Sequence, residues 1–340
     1  MGRIKKNVTR EDVARLANVS HMTVTRVLNG APQVKEETCR RVLAACEQLQ
    51  FRKNLVASSL RSRKSHAIAV IVPTFRHEFY SRLLADIETE VQKDQYCIIA
   101  SQFLGPDQAQ KYLEWEKISD LLCRNVDGII LDCDLAPETE RRLAMESVPV
   151  VCINRNTPQR LFDVVLSNYS EDFAGLTRML LGKGHRRILF AGGFMENQES
   201  RESCSGYQME MKRNHLPQLS IGHGFSFEDG VNAAEELVRK QIDCTAVMCI
   251  SDYVAIGLIS RLDKYGVKVP EDISVTGYAG DYITQFCRPS ITTVQQPVHE
   301  IALNAVRRLL FKISHPEIAE RVVVRLSAHI IERESTRSLE

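Results

Sequence analysis

Residues 8–60 read VTREDVARLANVSHMTVTRVLNGAPQVKEETCRRVLAACEQLQFRKNLVASSL. The apolar spacing predicts a short amphipathic helix, a tight turn, a second helix rich in hydroxyl and basic groups, and a third helix followed by a basic tail. A unit of this size has little core of its own. The rest of the 340-residue chain alternates apolar runs with amphipathic stretches. The sequence therefore predicts a small helical head joined to a large α/β body.

The first helix of the head carries a capping signal. Thr9 stands three residues before Asp12, and this spacing predicts a capping box. Asn18 is expected to supply the tight turn that follows the helix. The apolar face expected from the i, i+3, i+4 spacing consists of Val13, Leu16 and Ala17.

The second helix is expected to begin after its cap, Ser20, and to stop at Asn29 and Gly30. Its inward face is predicted to consist of Val24, Val27 and Leu28. The residues left on its outward face are His21, Met22, Thr25 and Arg26. The third helix is expected to bury a stripe made of Cys39, Val42, Leu43, Cys46 and Leu49.

Two short helices joined by a tight turn form a helix-turn-helix, whose second helix fits the major groove of DNA. Arg26 can bond guanine O6 and N7, Met22 can press on a thymine methyl, and His21 can bond a base edge. The groups expected to bond phosphates, which fix register without reading sequence, are Thr9, Ser20, Thr23 and Asn29. The alternative is a three-helix scaffold without DNA, in which Arg26 is an ordinary solvated charge.

Charge is spread unevenly along the chain. Residues 1–64 hold fourteen Lys and Arg against five Asp and Glu, whereas the remainder holds thirty against thirty-eight. A basic head on an acidic body indicates a polyanion as partner of the head alone. The alternative is a small exposed domain that is basic without a polyanion partner.

A basic segment links head and body. Residues 51–60 would make about two helical turns, which is marginal in water, so this helix is expected to fold only when docked. An exposed Leu60 beside basic groups suits a wedge into a minor-groove step of DNA. The alternative is a plain linker in which Leu60 packs on the body.

Composition excludes several classes of protein. The ten Cys show no C-x-x-C pair, and several lie in apolar runs, so reduced thiols and a cytoplasmic location are expected. No bound metal and no cofactor are expected. The runs in question contain Cys97, Cys133, Cys152 and Cys249. The N-terminus lacks the apolar region of a secretory signal. No apolar run approaches the roughly twenty residues that a membrane span needs.

In the body, the alternation of continuous apolar runs with amphipathic stretches predicts two parallel sheets, each covered by helices on both faces. A ligand crevice is expected at the carboxyl ends of the strands. The predicted strands are Ile68–Val72, Cys97–Ala100, Gly128–Leu131, Val148–Ile153, Ile188–Ala191, Ala246–Ile250 and Ile273–Gly277. The predicted helices are Phe79–Val91, Asp107–Leu122, Pro137–Met145 and stretches near 170–182, 199–213, 228–239 and 252–264.

The whole chain resembles the LacI/GalR family of bacterial transcription regulators. In the head the matching stretches are VTREDVARLANVSHMTVTRVLNG, VKEETCRRVLAACEQLQF and NLVASSL. In the body they are VDGIIL (126–131), GHRRILFAGG (184–193), SDYVAIG (251–257), VPEDISVTGY (269–278) and ITTVQQP (291–297). Because these stretches occur in order along the chain, the resemblance is specific.

The resemblance implies a fold in three parts. These are an all-α helix-turn-helix domain (residues 1–52), a hinge helix and linker (53–66), and a periplasmic-binding-protein-like core of two doubly wound parallel-sheet sub-domains (67–340). The N-terminal sub-domain is expected to take residues 67–165 and 295–326. The other is expected to take residues 166–294 and 327–340, with crossings near Val165, Val294 and Leu326.

The resemblance also implies roles for particular residues. His21, Met22 and Arg26 would read bases, and the minor-groove hinge would consist of Asn54, Ala57 and Leu60. The family usually has Ala-Arg-Ser-Leu at the hinge, whereas this chain has a serine at residue 58. The implied effector-binding residues are His77, Phe79, Tyr80, Asp132, Asn154, Glu199, Ser203, Ser251, Ala279 and Gln296.

Three of these positions depart from the family pattern. Ser203, Ser251 and Ala279 stand where the family usually carries Arg, Asn and Asp, and Arg201 lies two residues before Ser203. Either the effector differs from a common sugar or the pocket is degenerate. For Phe79 and Tyr80, packing at a helix start is the alternative to stacking on a ligand.

The leading hypothesis is therefore a transcriptional repressor that binds a near-palindromic operator as a homodimer, under control of a sugar-like effector. No tetramer-forming heptads follow the body, so a dimer is expected. A pure small-molecule binding protein is the second hypothesis, against which the basic head and the missing signal segment speak. An α/β enzyme is the third, but the catalytic motifs of that class, such as G-x-S-x-G and the phosphate loop, are missing.

Overall fold

A computed structural model describes residues 8–28, 34–51, 64–104, 112–155, 161–195 and 197–339. The chain divides into two units, residues 1–65 (the head) and residues 66–340 (the body). The sequence predictions for Asn29, Asn54, Ala57 and Leu60 concern positions outside the described residues.

The described part of the head holds three helices, and the first two begin as their caps predict. The helices are α1 (Arg10–Leu16), α2 (His21–Leu28) and α3 (Glu36–Gln48). The backbone N–H of Asp12 donates to Thr9 Oγ1 (3.3 Å), and the Thr9 N–H donates back to the Asp12 carboxylate (3.0 Å). The Thr23 N–H donates to Ser20 Oγ at the start of α2 (3.1 Å). Asn18 makes the turn with φ of +50°, so these predictions are confirmed.

Two leucines that the spacing placed inside the head are exposed. Leu16 is 44% exposed and Leu43 is 55% exposed, so the prediction for both was wrong. In α1 the buried arc contains Ala14 instead, and in α3 it contains Ala45 instead. Small residues allow three short helices to approach closely, while Leu16 and Leu43 lie on the flanks of the buried arcs. The core of the head is Val13, Ala14, Ala17, Val24, Val42 and Ala45.

The described part of the body contains two six-stranded sheets. The first runs β11-β5-β4-β3-β1-β2 and is parallel throughout; the second runs β12-β10-β9-β8-β6-β7, with β12 antiparallel to β10. The strands are β1 (Ala67–Val72), β2 (Cys97–Gln102), β3 (Gly128–Leu131), β4 (Val150–Ile153), β5 (Asp163–Ser167), β6 (Ile188–Ala191), β7 (Leu219–Ile221), β8 (Ala246–Cys249), β9 (Ser274–Ala279), β10 (Thr292–Gln295), β11 (Val323–Leu326) and β12 (His329–Ile331).

Helices cover both sheets, as continuous apolar strands require. They are α4 (Glu78–Gln92), α5 (Trp115–Leu122), α6 (Pro137–Met145), α7 (Tyr169–Gly182), α8 (Gln198–Arg213), α9 (Phe227–Lys240), α10 (Asp252–Lys264) and α11 (Val298–Ser314), with a short 3-10 helix at Tyr282–Gln285. The helix predicted from Asp107 corresponds to α5, which begins at Trp115, after Leu113 pairs with Leu135 in an isolated bridge; residues 107–111 lie outside the described residues. Strands β5, β7, β10, β11 and β12 and helix α11 were not among the predicted elements.

The chain passes between the two sheets three times. It leaves the first sheet after Ser167 at the end of β5, and it returns from the second sheet after Gln295 at the end of β10. It crosses again between Leu326 at the end of β11 and His329 at the start of β12. All three crossings begin where a strand ends, so they lie beside the carboxyl edges at which parallel sheets place their ligands.

Three glycines let helices in the second half of the body approach very closely. A Cβ on Gly257 of α10 would lie 2.0 Å from the carbonyl oxygen of Phe227, and one on Gly230 of α9 would lie 2.1 Å from that of Val254. A Cβ on Gly206 of α8 would lie 2.0 Å from the carbonyl oxygen of Ser170. These positions admit no side chain unless the helices separate.

All ten cysteines are free thiols, and five are buried. Cys97, which its apolar run placed inside, is exposed, because β2 is the edge strand of the first sheet. Within the described ranges, no helix is long and apolar enough to cross a membrane. The same residues contain no group of three or more His, Cys, Asp and Glu that could hold a metal ion.

Candidate functional site

The outward face of α2 is a polar surface with one exposed apolar side chain. Met22 is 61% exposed, and His21 and Arg26 are exposed beside it. His21 Nε2 lies 3.7 Å from the Glu11 carboxylate of α1. None of the three side chains belongs to the core of the head, so this face of α2 is accessible for contact with a groove of DNA.

The hydroxyl groups predicted to bond phosphates differ in how far they are already engaged in hydrogen bonds within the head. The Thr9 hydroxyl donates to the Asp12 carboxylate (2.8 Å), so it would have to give up that bond to donate to a phosphate. Ser20 Oγ and Thr23 Oγ1 share one hydrogen bond (2.9 Å). Only one of them donates in that bond, so the other hydroxyl hydrogen remains free for a phosphate oxygen.

The body encloses a cavity of about 550 Å³ at the carboxyl ends of both sheets. Its lining is rich in rings, contributed by Phe79, Tyr80, Phe103, Tyr169, Phe194, Phe225, Tyr253 and Tyr278. The predicted effector residues that line it are His77, Phe79, Tyr80, Asn154, Glu199, Ser251, Ala279 and Gln296. Asp132 and Ser203 are buried but are not lining residues.

A buried arginine that the sequence argument missed occupies one wall of this cavity. The Arg155 guanidinium lies 3.4 Å from Asp134, 3.7 Å from Glu199 and 3.8 Å from Asp132. Asp132 also accepts a hydrogen bond from the Asn154 side-chain amide (3.0 Å). Arg155 follows two residues after the end of β4, and its place at the carboxyl edge of a strand was the signal that could have found it.

Burial perturbs the carboxylates around Arg155. Desolvation raises the pKa of Asp132 to about 6, although the nearby Arg155 opposes the rise. Desolvation also raises the pKa of Glu199 to about 7, again against the opposing charge of Arg155. The guanidinium therefore keeps these two acids more ionised than their burial alone would allow.

A second acidic pair lies beside the carboxyl end of β9, where Asp252 begins α10 and Asp281 follows the strand. The Asp281 backbone N–H and the Thr293 hydroxyl donate to the Asp252 carboxylate (2.7 and 2.6 Å). Burial and the neighbouring Asp252 raise the pKa of Asp281 to about 8. Asp281 lines the cavity, and its Oδ1 is buried without a hydrogen-bond partner.

The three departures from the expected polar set have structural consequences. Ser203 is buried, and its hydroxyl has no hydrogen-bond partner. Ser251 caps α10 by accepting the Val254 N–H (3.2 Å), and its hydroxyl donates to the Phe225 carbonyl (2.8 Å). Ala279 ends β9 with φ of +125°, which is strained for a residue with a side chain. Arg201 is exposed and donates to the Met195 carbonyl (3.1 Å), so it does not replace the missing arginine.

Side chains beside the cavity join the two halves of the body, and we call these contacts the clasp. The Tyr282 backbone N–H donates to the Glu78 carboxylate (2.8 Å), and Arg82 Nη1 donates to the Gly280 carbonyl (3.3 Å). The rings of His77 and Tyr253 meet edge to face at 5.3 Å. The clasp therefore ties the start of α4 to the loop after β9 and to α10.

Comparisons with known proteins bear on both units. Residues 9–54 match the model of the lacI family of bacterial regulatory proteins, and residues 177–336 match a periplasmic binding protein-like domain. The chain is 32% identical to catabolite control protein A of Priestia megaterium, over 97% of this chain and 100% of that protein. The chain belongs to the lacI family of bacterial regulatory proteins.

Other lacI-family relatives are similar along their whole length. The chain is 30% identical to the ribose operon repressor of Haemophilus influenzae, over 97% of this chain and 99% of that protein. It is 29% identical to a probable HTH-type transcriptional repressor, ExuR, of Bacillus subtilis, over 98% and 99% of the two chains. As a lacI-family member, this protein is a DNA-binding transcriptional regulator.

Solved structures confirm the fold expected for a lacI-family chain. A lac repressor dimer bound to operator and an anti-inducer is similar with a TM-score of 0.84, at 24% identity over 98% of this chain and 100% of that chain. The regulator CelR in complex with cellobiose has a TM-score of 0.71, at 25% identity over 96% and 99% of the two chains. A helix-turn-helix head followed by a two-sheet periplasmic-binding-protein-like body is therefore the shared architecture.

Proposed function

We propose that this lacI-family regulator is a repressor that binds a near-palindromic operator as a homodimer, with its affinity set by a small molecule in the body cavity. The observation that carries the proposal is the exposed outward face of α2, whose Met22 and Arg26 have no role in the core of the head. Support comes from relatives named as repressors and from the lac repressor dimer solved on its operator.

The proposed DNA contacts follow the geometry of the head. His21, Met22 and Arg26 read base edges, while Ser20 and Thr23 bond phosphates more readily than Thr9, whose hydroxyl is held by Asp12. Asn29, outside the described residues, is the fourth proposed phosphate contact. Asn54, Ala57 and Leu60 form the minor-groove hinge. Residues 1–52 act as the DNA-binding domain, residues 53–66 as the hinge helix and linker, and residues 67–340 as the effector-binding core. The proposed place of action is the cytoplasm, on nucleoid DNA.

The proposed effector site is the body cavity, and the proposed role of the body is binding and not catalysis. The rings of Phe79 and Tyr80 stand at 5.2 Å and nearly perpendicular, so a ligand can meet one face and one edge. Asn154, Glu199 and Gln296 supply polar groups on the same lining. A few polar groups within an aromatic wall suit a sugar or sugar derivative.

Selection from a randomised duplex pool by the purified full-length protein tests the proposal. We expect enrichment of a near-palindrome and steep weakening of binding with salt, because phosphate contacts release counterions. A pool that remains random, with and without a metabolite mixture, would contradict the proposal. A flat salt response would contradict the DNA role of the basic head.

Arg26→Ala is expected to weaken binding to the selected operator by about 1–3 kcal/mol and to relax the preference at one base position. The reason is the loss of a bidentate contact to guanine, which no other group on α2 can replace. The measurement is fluorescence anisotropy on operator and on random duplex. Arg40→Ala is the control, because Arg40 is exposed on α3 and pairs with Glu36 at 3.1 Å. An equal loss on random DNA would show that Arg26 binds only phosphate.

A further inference from the structure

The charge balance of the cavity lining points to the chemical class of the ligand. We propose that the effector carries a protonated amine on a small polyhydroxylated framework, of which a hexosamine is the simplest form. This inference rests on the proposed effector role of the cavity and adds a charge requirement to it.

Acidic groups outnumber basic groups around the cavity. Among the described lining residues, four carry carboxylates and only Arg155 carries a guanidinium. The carboxylates belong to Asp134, Glu199, Asp229 and Asp281. Burial lowers the pKa of His77, which favours its neutral form and adds no compensating charge.

The positive charge of Arg155 is already balanced by carboxylates, although its Nε has no hydrogen-bond partner among the described residues. Its guanidinium has carboxylates on three sides at 3.4–3.8 Å, and its Nη1 also donates to the Asn154 carbonyl (3.1 Å). An anionic ligand would have to displace one of these carboxylates and would then face the others. A sugar acid or sugar phosphate is therefore a poor match to this lining.

The lining also presents buried acceptors that lack a donor. Asp281 and Asn154 are each only 4% exposed, both line the cavity, and the Oδ1 atom of each has no hydrogen-bond partner. Buried polar atoms normally have a hydrogen-bond partner, so we expect a ligand to donate hydrogen bonds to these two atoms. An ammonium group brings three donors and no acceptor, and hydroxyl groups bring one donor each.

The aromatic part of the lining favours the same class. Phe194 and Phe225 stand with ring centroids 5.9 Å apart, and Tyr253 meets His77 at 5.3 Å. Aromatic faces attract a cation and also stack on the apolar face of a sugar ring. A neutral sugar would use the rings but would leave the carboxylates without a counter-charge.

The test uses the full-length protein and ligands matched in size but not in charge. Calorimetry and thermal shift compare glucosamine, galactosamine and mannosamine with their N-acetyl derivatives, with glucuronate and galacturonate, and with glucose 6-phosphate. We expect at least one hexosamine to bind, with affinity at least tenfold weaker after N-acetylation. We expect no response to the uronates or the phosphate.

Variants test whether the carboxylates cause the preference. Burial and Asp252 raise the pKa of Asp281 to about 8, so its carboxyl gives up its proton when a cation binds beside it. Asp281→Asn keeps the shape of the side chain but cannot ionise, so hexosamine binding should weaken at least tenfold. Glu199→Gln, at the start of α8, provides a second variant should the first fail to fold. Asp263→Asn is the matched control, because Asp263 is exposed on α10 outside the lining, and it should bind as the parent does.

Several results would overturn the inference. These are binding of a uronate or phosphosugar, equal binding of a hexosamine and its N-acetyl form, lack of response to all three hexosamines, or unchanged affinity in both folded cavity variants. Operator selection separates this inference from the proposed function. A protein that selects an operator but ignores hexosamines refutes only the charge requirement, whereas a protein that selects no DNA refutes the repressor role even if it binds a hexosamine.

Discussion

Arg155→Met is expected to lower the free energy of unfolding of the body by about 3–5 kcal/mol at neutral pH, since it removes one partner of a buried ion-pair network. Methionine keeps much of the length of the side chain but leaves Asp132, Asp134 and Glu199 without the cation that lies within 4 Å of each. Urea unfolding followed by the fluorescence of Trp115 measures the change, because this single tryptophan lies in the body.

The destabilisation should depend on pH in a definite direction. Burial raises the folded-state pKa of Asp132 from 3.8 to about 6 and that of Glu199 from 4.5 to about 7. A group whose pKa is raised on folding favours the folded state at low pH and loses that contribution as pH rises through the folded value. Without Arg155 both pKa values should rise further, so the variant should lose more stability at pH 8 than at pH 5.

Arg141→Met is the matched control for Arg155→Met. Arg141 lies 3.4 Å from Glu138, but both side chains are mostly exposed, so the change should stay within about 0.5 kcal/mol. Equal losses in the two variants would mean that the guanidinium of Arg155 has no special role in the body. A loss that does not vary between pH 5 and pH 8 would refute the assignment to the carboxylates.

Gly257→Ala is expected to destabilise the body by about 3 kcal/mol, at the upper end of what overpacking usually costs. The new Cβ would lie 2.0 Å from the Phe227 carbonyl oxygen, which belongs to the backbone and cannot rotate away, so α9 and α10 must separate. Gly175→Ala in α7 is the control, because its nearest neighbour is the end of the Arg178 side chain at 3.7 Å.

The two alanine substitutions should differ in sign. In a helix interior without a clash, alanine is more stable than glycine by roughly 0.5–1 kcal/mol, so Gly175→Ala should raise the melting temperature. Gly257→Ala should lower it. If both variants moved in the same direction, the close contact between α9 and α10 would not be a determinant of stability.

Strands with a continuous apolar run were predictable, and strands whose burial depends on polar pairing were not. The run from Ala67 to Val72 is wholly buried and was found within one residue. Strand β10 is buried at three of its four residues but reads TTVQ, and its threonines are satisfied by long-range bonds such as that from Thr293 to Asp252. Such bonds join residues far apart in sequence, so no local spacing reveals them.

The limits of prediction at the cavity have the same origin. Positions that follow a strand end, such as Asn154 and Gln296, could be expected at the lining because parallel strands end on one edge. The ion pair between Arg155 and Glu199 joins a residue after β4 of the first sheet to one at the start of α8, and its charge balance exists only after both segments have folded. Leu16 is an example within a single helix. Helical spacing places it beside the apolar face of α1 but does not tell which side of that face packs against the other two helices.

The clasp has a consequence for how the body can respond to any ligand. Three chain crossings and the bond from Tyr282 to Glu78 join the two halves of the body at separate points, so we expect the halves to rotate about the crossings rather than to open freely. A ligand shifts the balance between two orientations of these halves only by the difference in its affinity for the two orientations. The strength of the clasp therefore sets a threshold: we expect compounds that enter the cavity without favouring one orientation of the two halves to bind silently and to leave the affinity for DNA unchanged.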